Sequence, residues 1–216
     1  MLDRVYFKQF ERPLSLTTVV FENDPNEYYV VATGKDVDVF EHQSVGRILV
    51  LQYTSDRSPL RLVSQLKTEG MVDCVRAFEG KLLASVKGRL HVYRWERTLT
   101  GGQLVSISSK RLPSVTECIT THGDYIMTGD LVYSVVMFQF DRSTQQLVEV
   151  AAHEKVKEVL AIESIDENLM IGAEKDGHLF VLEHCQDEAS ADEPLLDMIS
   201  GWHLGDMVSR FRFGKP

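Results

Sequence analysis

Cysteine and histidine are the side chains of this sequence best suited to bind a metal ion or to act as nucleophiles. The three cysteines, Cys74, Cys118 and Cys185, lie far apart, and the seven histidines form no H-E-x-x-H pattern. Cys185 directly follows His184, and neighbours on a strand face opposite sides, so the two are poorly placed to share one ion. Cys74 and Cys118 occur in the similar contexts DCV and ECI. A ligand or redox pair is one interpretation, but a small buried hydrophobe suits these contexts better, so we predict structural cysteines and no metal or cofactor.

Hydroxyl and carboxyl groups form no catalytic pattern either. The sequence has no G-x-S-x-G turn for a nucleophilic serine and no G-x-x-x-x-G-K or G-x-G-x-x-G loop for phosphate. Asp56, Asp124, Asp130 and Asp166 fall in predicted turns, where an aspartate side chain stabilises the turn itself. We therefore predict no catalytic residues and no enzyme, with a clustered acid site as a remote alternative.

The composition is that of an intracellular globular chain. Of its 216 residues, 44% are hydrophobic and 25% charged, and 23 Lys and Arg against 32 Asp and Glu give a net charge of −9. Such an acidic chain is poorly suited to non-specific nucleic-acid or anionic-membrane binding. An odd number of scattered cysteines favours reducing surroundings. No apolar run approaches the roughly 18 residues of a membrane span, so no membrane partner is expected.

The elements that must position any site are strands. Runs rich in Val, Ile, Tyr, Phe and Thr recur, and no long segment has helical periodicity. The clearest runs occupy residues 47–53, 89–95, 134–140 and 178–184, about 44 residues apart. Two further strand-like runs precede each of them, and another follows the first three. The chain is therefore an internal repeat of four strands per unit.

This period predicts an all-β fold, a β-propeller made of blades of four antiparallel strands. We place four blades, and the start of another, at approximately residues 17–67, 71–112, 115–154, 156–202 and 207–214. The run at residues 3–10 is predicted as the outer strand of a preceding blade. A blade needs neighbours on both faces, and four blades are fewer than most propellers have, so the chain is either a section of a larger ring or closes in an unusual way. We expect the first, a single partial propeller domain that is a section of a seven-bladed ring.

Two polar segments interrupt or end this pattern. QDEASADEPLLDM (186–198) carries five acids and no base, which predicts a solvated loop with a helical turn at its end, or a docking segment. Arg210, Phe211, Arg212, Phe213 and Lys215 alternate cationic and aromatic side chains near the end of the chain. Such an alternation could stack a nucleic-acid base, but a strand is the better interpretation.

Several of these strands together resemble a known family. The segments are GRILVLQY, EGKLLASV with GRLHVYRW, GDYIMTGDLVYSVVMFQF, LMIGAEKDGHLFVL and WHLGDMVSRFRFG. In order and spacing, over about residues 14–214, they are similar to the C-terminal propeller of the family of DNA damage-binding protein 1 and the largest subunit of the cleavage and polyadenylation specificity factor. The HLGD segment matches the DNA damage-binding branch best, whereas KDVDVFEHQSV departs from the acidic, proline-bearing loop usual in the family.

The resemblance implies a protein-interaction scaffold. The parent would have three propellers and act as an adaptor of a cullin-4 ubiquitin ligase in DNA repair and protein ubiquitination, in the nucleus and cytoplasm. Its partners would be substrate-receptor proteins, gripped in part by this propeller, and the cullin-4 complex, bound through parts of the parent that this chain lacks. Any nucleic-acid contact would be indirect, and no cofactor is implied.

The resemblance also implies a protein-binding site at the inner strands and blade-top turns. The matching positions here are Met71, Asp73, Glu117, Tyr133, Val156, Met207, Ser209 and Arg210. Three of them depart from the family pattern, which has an arginine at Tyr133, a leucine at Glu117 and a tryptophan near Val156. A missing cation and an added acid change which partner charges would be accepted. The scaffold would then be kept while the choice of partner differs.

Two other functions stay open on the sequence alone. One is a scaffold subunit of pre-mRNA 3′-end processing or splicing, with nucleic-acid binding, since those relatives share the same propeller. The other, more remote, is a propeller enzyme with a clustered site, for which Asp73 and Glu117 are the candidate acids.

Overall fold

Every regular element described in the structure is a β-strand. The computed structural model describes residues 6–38, 43–53, 60–99, 101–155, 157–185 and 195–214. Within these ranges there are sixteen strands and no helix, so none of these residues belongs to a helix that could cross a membrane. The prediction of an all-β fold is confirmed.

The chain divides into two compact units, Met1–Arg111 and Leu112–Pro216. The first unit contains two antiparallel sheets, each ordered as in the chain. Blade 1 consists of β1 (Arg12–Val20), β2 (Glu27–Asp38), β3 (Gln43–Gln52) and β4 (Arg61–Thr68). Blade 2 consists of β5 (Val72–Phe78), β6 (Lys81–Val86), β7 (Arg89–Thr98) and β8 (Gly101–Arg111).

The second unit repeats this arrangement with two more four-stranded antiparallel sheets. Blade 3 consists of β9 (Thr116–His122), β10 (Tyr125–Asp130), β11 (Val135–Asp141) and β12 (Gln146–Ala152). Blade 4 consists of β13 (Val159–Ser164), β14 (Leu169–Glu174), β15 (His178–His184) and β16 (Leu196–His203). Four sheets of four strands, each a simple antiparallel meander, are propeller blades, as the repeat predicted.

Two local predictions come out differently, and a third is not tested. The end of the acidic run is neither loop nor helical turn, because β16 starts at Leu196, whose side chain is 1% exposed in the core; residues 186–194 lie outside the described residues. Residues 6–10, predicted as an outer strand, form a turn instead, with Phe10 at a φ of 63°. Residues 207–214 follow β16 without strand pairing to any described residue, so their place in a further blade stays a prediction.

The core of the first unit is an aromatic cluster between blades 1 and 2. The rings of Phe21, after β1, and Trp95, on β7, stack with centroids 4.9 Å apart, and Tyr28 packs against both. Beside the cluster, the buried Asp24 carboxylate accepts hydrogen bonds from Tyr28 Oη at 2.8 Å and from Arg97 Nε at 3.2 Å. Burial alone would raise the pKa of Asp24, but these hydrogen bonds lower it below its ordinary value. The two blades are thus joined by apolar packing and by a satisfied buried charge.

The core of the second unit joins blades 3 and 4 in the same way. Its buried residues come from the last three strands of blade 3 and from all four strands of blade 4, with Phe180 packed directly over Gly172. Thr120 Oγ1 on β9, fully buried, donates to Glu163 Oε1 on β13 at 2.6 Å. His153 Nδ1–H, after β12, donates to the Leu196 carbonyl at 2.8 Å, where β16 begins. These hydrogen bonds satisfy Thr120 and one ring nitrogen of His153, whereas His153 Nε2 has no hydrogen-bond partner among the described residues.

A buried ion pair fixes the start of blade 1. Glu11 accepts hydrogen bonds from Arg47 Nε at 2.7 Å and from Thr33 Oγ1 at 2.6 Å. The Glu11 side chain is 4% exposed and that of Arg47 12%. The Arg47 hydrogen bonds, with help from Thr33 and against the effect of burial, lower the pKa of Glu11 from 4.5 to about 2.

The Glu11 pair predicts a specific acid sensitivity. Because the folded-state pKa lies below the unfolded value of 4.5, the stabilisation is complete above about pH 4.5 and is lost as the pH falls towards 2. Glu11→Gln should lower the free energy of unfolding by about 3 kcal/mol at pH 7, and the difference from wild type should more than halve by about pH 3. Urea unfolding between pH 7 and pH 3 measures both.

The control is Glu22→Gln. The Glu22 side chain is 62% exposed and pairs with Lys81 Nζ at 3.2 Å. Such an exposed pair contributes less than about 1 kcal/mol, so this variant should follow wild type across the pH range. Parallel acid profiles for wild type and Glu11→Gln would contradict the role given to Glu11.

Two glycines with the same backbone angle test the packing between blades 1 and 2. Gly80 and Gly88 both have a φ of +69°, so alanine at either position adds about 1–2 kcal/mol of left-handed strain. At Gly80 an added Cβ would also lie 2.8 Å from the backbone nitrogen of Glu22, which donates to the Gly80 carbonyl at 3.0 Å; at Gly88 nothing lies within 4 Å. We expect Gly80→Ala to destabilise by about 1–3 kcal/mol more than Gly88→Ala in urea unfolding. Equal losses of stability in the two variants would mean that blade 1 does not pack closely against the β5–β6 turn.

Candidate functional site

All the described candidate residues lie at one end of a blade. In an antiparallel meander, the first and third strands start at the end where the second and fourth strands finish. In blade 3 this end contains Thr116 and Val135, where β9 and β11 start, and Asp130 and Ala152, where β10 and β12 finish. We call it the leading end of a blade. Side chains on the loops and strand ends at this end of a blade are not all packed into the core.

In the first unit, Met71 and Asp73 mark the leading end of blade 2. The Met71 N–H donates to Ser44 Oγ at 3.3 Å, and the Met71 side chain covers Gly34, where an added Cβ would meet Met71 Cγ at 2.8 Å. Asp73, on β5, is half-buried. Met71 therefore packs against blade 1, so only part of its surface is available to a partner.

In the second unit, the sheet register brings Glu117 and Tyr133 to the same place. Glu117 follows Thr116 on β9, and Thr116 pairs with Asp130, the last residue of β10. Tyr133 lies in the loop that follows Asp130. Both side chains are exposed, that of Tyr133 by 53%. An acid and a phenol are thus both exposed at the leading end of blade 3.

The loop that carries Tyr133 is held by a buried aspartate. Asp130 is 5% exposed, and its Oδ1 accepts hydrogen bonds from the N–H groups of Val132 at 2.7 Å and Tyr133 at 2.6 Å. Its own N–H donates to the Ser134 carbonyl at 3.0 Å. This is the Asx-type turn that the sequence predicted for Asp130. The turn aims Tyr133 outward with little freedom to lose on binding.

The segment after β16 places Met207, Ser209 and Arg210 at the leading end of blade 4. All three are exposed, Met207 by 62%. The segment starts where Leu204 and Gly205 donate to the Gly177 carbonyl, at 2.9 and 3.3 Å. Val156, the remaining candidate, lies outside the described residues.

The cysteines take the positions expected of structural residues, with one exception. Cys74 and Cys118 are half-buried on first strands, Cys118 with its Sγ 3.8 Å from the Gly129 carbonyl. Cys185 is exposed while its neighbour His184 is buried, which confirms that they face opposite sides. Sequence reasoning missed a group of metal-binding side chains, Glu174, Asp176 and His178, that meets at the leading end of blade 4. The i, i+2, i+4 spacing across the EKDGH turn was the available signal.

The fold and these blade ends define a β-propeller scaffold that exposes side chains at its turns. The chain matches the family described as the CPSF A subunit region over residues 1–215, and it belongs to that family.

The chain is also similar to curated DNA damage-binding proteins. DNA damage-binding protein 1 of Solanum lycopersicum is 30% identical over 218 residues, which cover 96% of this chain and 19% of the relative. The protein of the same name from Drosophila melanogaster is 30% identical over 205 residues, which cover 93% of this chain and 17% of the relative. The chain thus spans about a fifth of the length of these relatives.

The aspartate that holds the Tyr133 loop gives a prediction. Asp130→Ala removes the acceptor of two N–H groups and should lower the free energy of unfolding by about 1–3 kcal/mol, whereas Asp130→Asn keeps an Oδ1 acceptor and should cost less. Hydrogen exchange at Val132 and Tyr133 should speed up in Asp130→Ala and change less in Asp130→Asn. Unchanged exchange in Asp130→Ala would show that the loop is held by other contacts.

Proposed function

We propose that this chain is part of the receptor-binding propeller of an adaptor of cullin-4 ubiquitin ligases that acts in DNA repair. Substrate-receptor proteins bind the leading ends of its blades, and cullin-4 binds a part of the parent protein outside this sequence. The names of the similar DNA damage-binding proteins support a nuclear role in the response to damaged DNA. We include the cytoplasm in the same proposal, since ligases of this kind act on proteins of both compartments.

The observation that carries the proposal is the exposed side chain of Tyr133 on a braced loop, with Glu117 exposed at the same end of blade 3. An aromatic side chain with a polar tip is a common anchor in protein interfaces. Its loop is fixed by the buried Asp130, so binding costs little ordering entropy. Glu117, the exposed acid at the same end of the blade, repels acidic partner surfaces and favours a basic or hydrogen-bond-donating surface.

The same pair would set the choice of partner. The arginine implied by the family at position 133 pairs with a partner acid, whereas Tyr133 and Glu117 offer a phenol and a carboxylate. A receptor that presents a lysine or arginine to this end of blade 3 would therefore be preferred to one that presents a carboxylate.

Affinity purification of the full-length protein from its own cells tests the proposal. Wild type should recover cullin-4 together with receptor proteins. Tyr133→Ala should lower the recovery of receptors about tenfold or more, as expected for an aromatic hot spot, without changing the recovery of cullin-4. The recovery of cullin-4 thus serves as an internal measure of folding.

The matched control is Tyr53→Ala. Tyr53 is 50% exposed, close to the 53% of Tyr133, but it follows β3 at the opposite end of blade 1. This variant should recover receptors as wild type does. Equal losses in the two variants would contradict a site at the leading ends.

The second candidate function, a scaffold of pre-mRNA 3′-end processing or splicing, is favoured by the description of the matching family as the CPSF A subunit region. Recovery of pre-mRNA cleavage or splicing factors in place of cullin-4 would support this function and overturn the ligase proposal.

A further inference from the structure

The leading end of blade 4 brings together three side chains with metal-binding chemistry. Glu174 ends β14, Asp176 lies in the following turn and His178 starts β15. One nitrogen or oxygen ligand atom from each of the three lies within 4.8 Å of the others. Among the described residues this is the group of acids and histidines whose ligand atoms converge in this way.

A second imidazole lies beside this group. His203, on β16, pairs directly with His178 in the antiparallel register. Side chains directly opposite each other project from the same face of a sheet. The two rings confirm this, with centroids 4.5 Å apart and an interplanar angle of 50°. Two nitrogens on one tetrahedral ion stand about 3.3 Å apart, so two rings on one face with centroids 4.5 Å apart are in the range of a shared ion.

The hydrogen bonds around the pair suit a metal ligand. His178 Nδ1 lies 2.9 Å from Asp176 Oδ1, so its Nε2 is left to face an ion. A carboxylate on the far nitrogen orients a ligating imidazole and raises its basicity.

The backbone holds the two strands in place. Leu204 and Gly205, just after His203, donate to the carbonyl of Gly177, just before His178. The turn between β14 and β15 is therefore tied to the end of β16. A pre-formed site loses little entropy when it captures a ligand.

Glu174, the remaining side chain of the group, is already paired. Glu174 makes an ion pair with Lys157, whose ammonium also lies 4.9 Å from the centre of the Phe180 ring. We therefore assign Glu174 to the surroundings of the ion and not to its ligands. A cleft of about 500 Å³, lined in part by Met198 and Trp202, adjoins the histidines and leaves room for water to complete the coordination.

We propose that His178 and His203 bind a divalent transition-metal ion such as Zn²⁺, Ni²⁺ or Cu²⁺ at the leading end of blade 4. The Asp176 carboxylate accepts a hydrogen bond from the far nitrogen of His178 and orients that ring. Imidazole with a carboxylate suits these ions, whereas Mg²⁺ and Ca²⁺ prefer oxygen ligands alone. The site is separate from Glu117 and Tyr133 on blade 3, so it does not rest on the proposed function.

Calorimetric titration of the untagged chain with ZnCl₂ tests the site. The Cys185→Ser background removes the exposed thiol, which would bind zinc by itself. We expect one saturable site, at least about tenfold weaker in His178→Gln and in His203→Gln. MgCl₂ and CaCl₂ should give no saturable binding. Both histidines are exposed, so the variants should unfold in urea at the midpoint of the background chain.

The control is His122→Gln, which removes an exposed histidine from blade 3 of the same unit. It should leave the affinity for zinc unchanged. Quenching by CuCl₂ of the fluorescence of Trp202, which is 70% exposed beside His203, gives a second measurement that does not depend on heat. Equal affinities in the background, His178→Gln, His203→Gln and His122→Gln chains would overturn the proposal, as would the lack of a saturable site in the background chain.

Discussion

The packing of one sheet face against the next is the interaction on which this structure depends. A blade of four strands has two apolar faces, and its middle strands cannot expose either of them. In β6 and β10, five consecutive residues are buried, so side chains that point to both faces of the sheet are covered. Within the first unit the stacked rings of Phe21 and Trp95 close one such interface. A single blade therefore cannot be stable alone. Repetition of the blade along the chain covers the apolar face of each sheet with the next sheet and so makes the fold stable.

This constraint decides where chemistry can be placed. Side chains of the inner strands fill the space between blades, and a charged group that enters that space must be paired, as Asp24 is with Tyr28 and Arg97. The strand ends, and an outer strand such as β16, in which seven of eight residues are exposed, are released from this packing. At the leading end of blade 3 the buried carboxylate of Asp130 accepts hydrogen bonds from the backbone, and the side chain of Tyr133 is exposed. A rigid frame with free turns is what a protein-interaction scaffold requires.

The sequence predicts the strands because burial imposes a period of two within each strand and a period of about 44 residues between blades. It does not predict features that depend on register. The pairing of His178 with His203 joins residues 25 positions apart across the β15–β16 connection, and no local spacing in the sequence indicates this pairing. The start of β16 is not evident from the sequence, because Leu196 follows an acidic run and the burial of Leu196 depends on the neighbouring sheet. The stack of Phe21 on Trp95 is likewise a contact between blades, for which a single chain offers no local signal.

The candidate residues also differ in how freely they could change during evolution. Met71 covers Gly34, so a smaller or charged side chain there would open or charge an apolar contact between the sheets of the first unit. Tyr133 and Glu117 project into solvent, and substitutions there change stability little. The two kinds of position are therefore under different constraints. Packing restricts the residue type at position 71, whereas packing does not restrict the residue type at position 133. A propeller of this family can thus keep its frame while its partners change, and the departures from the family pattern at positions 117 and 133 lie where the frame permits them.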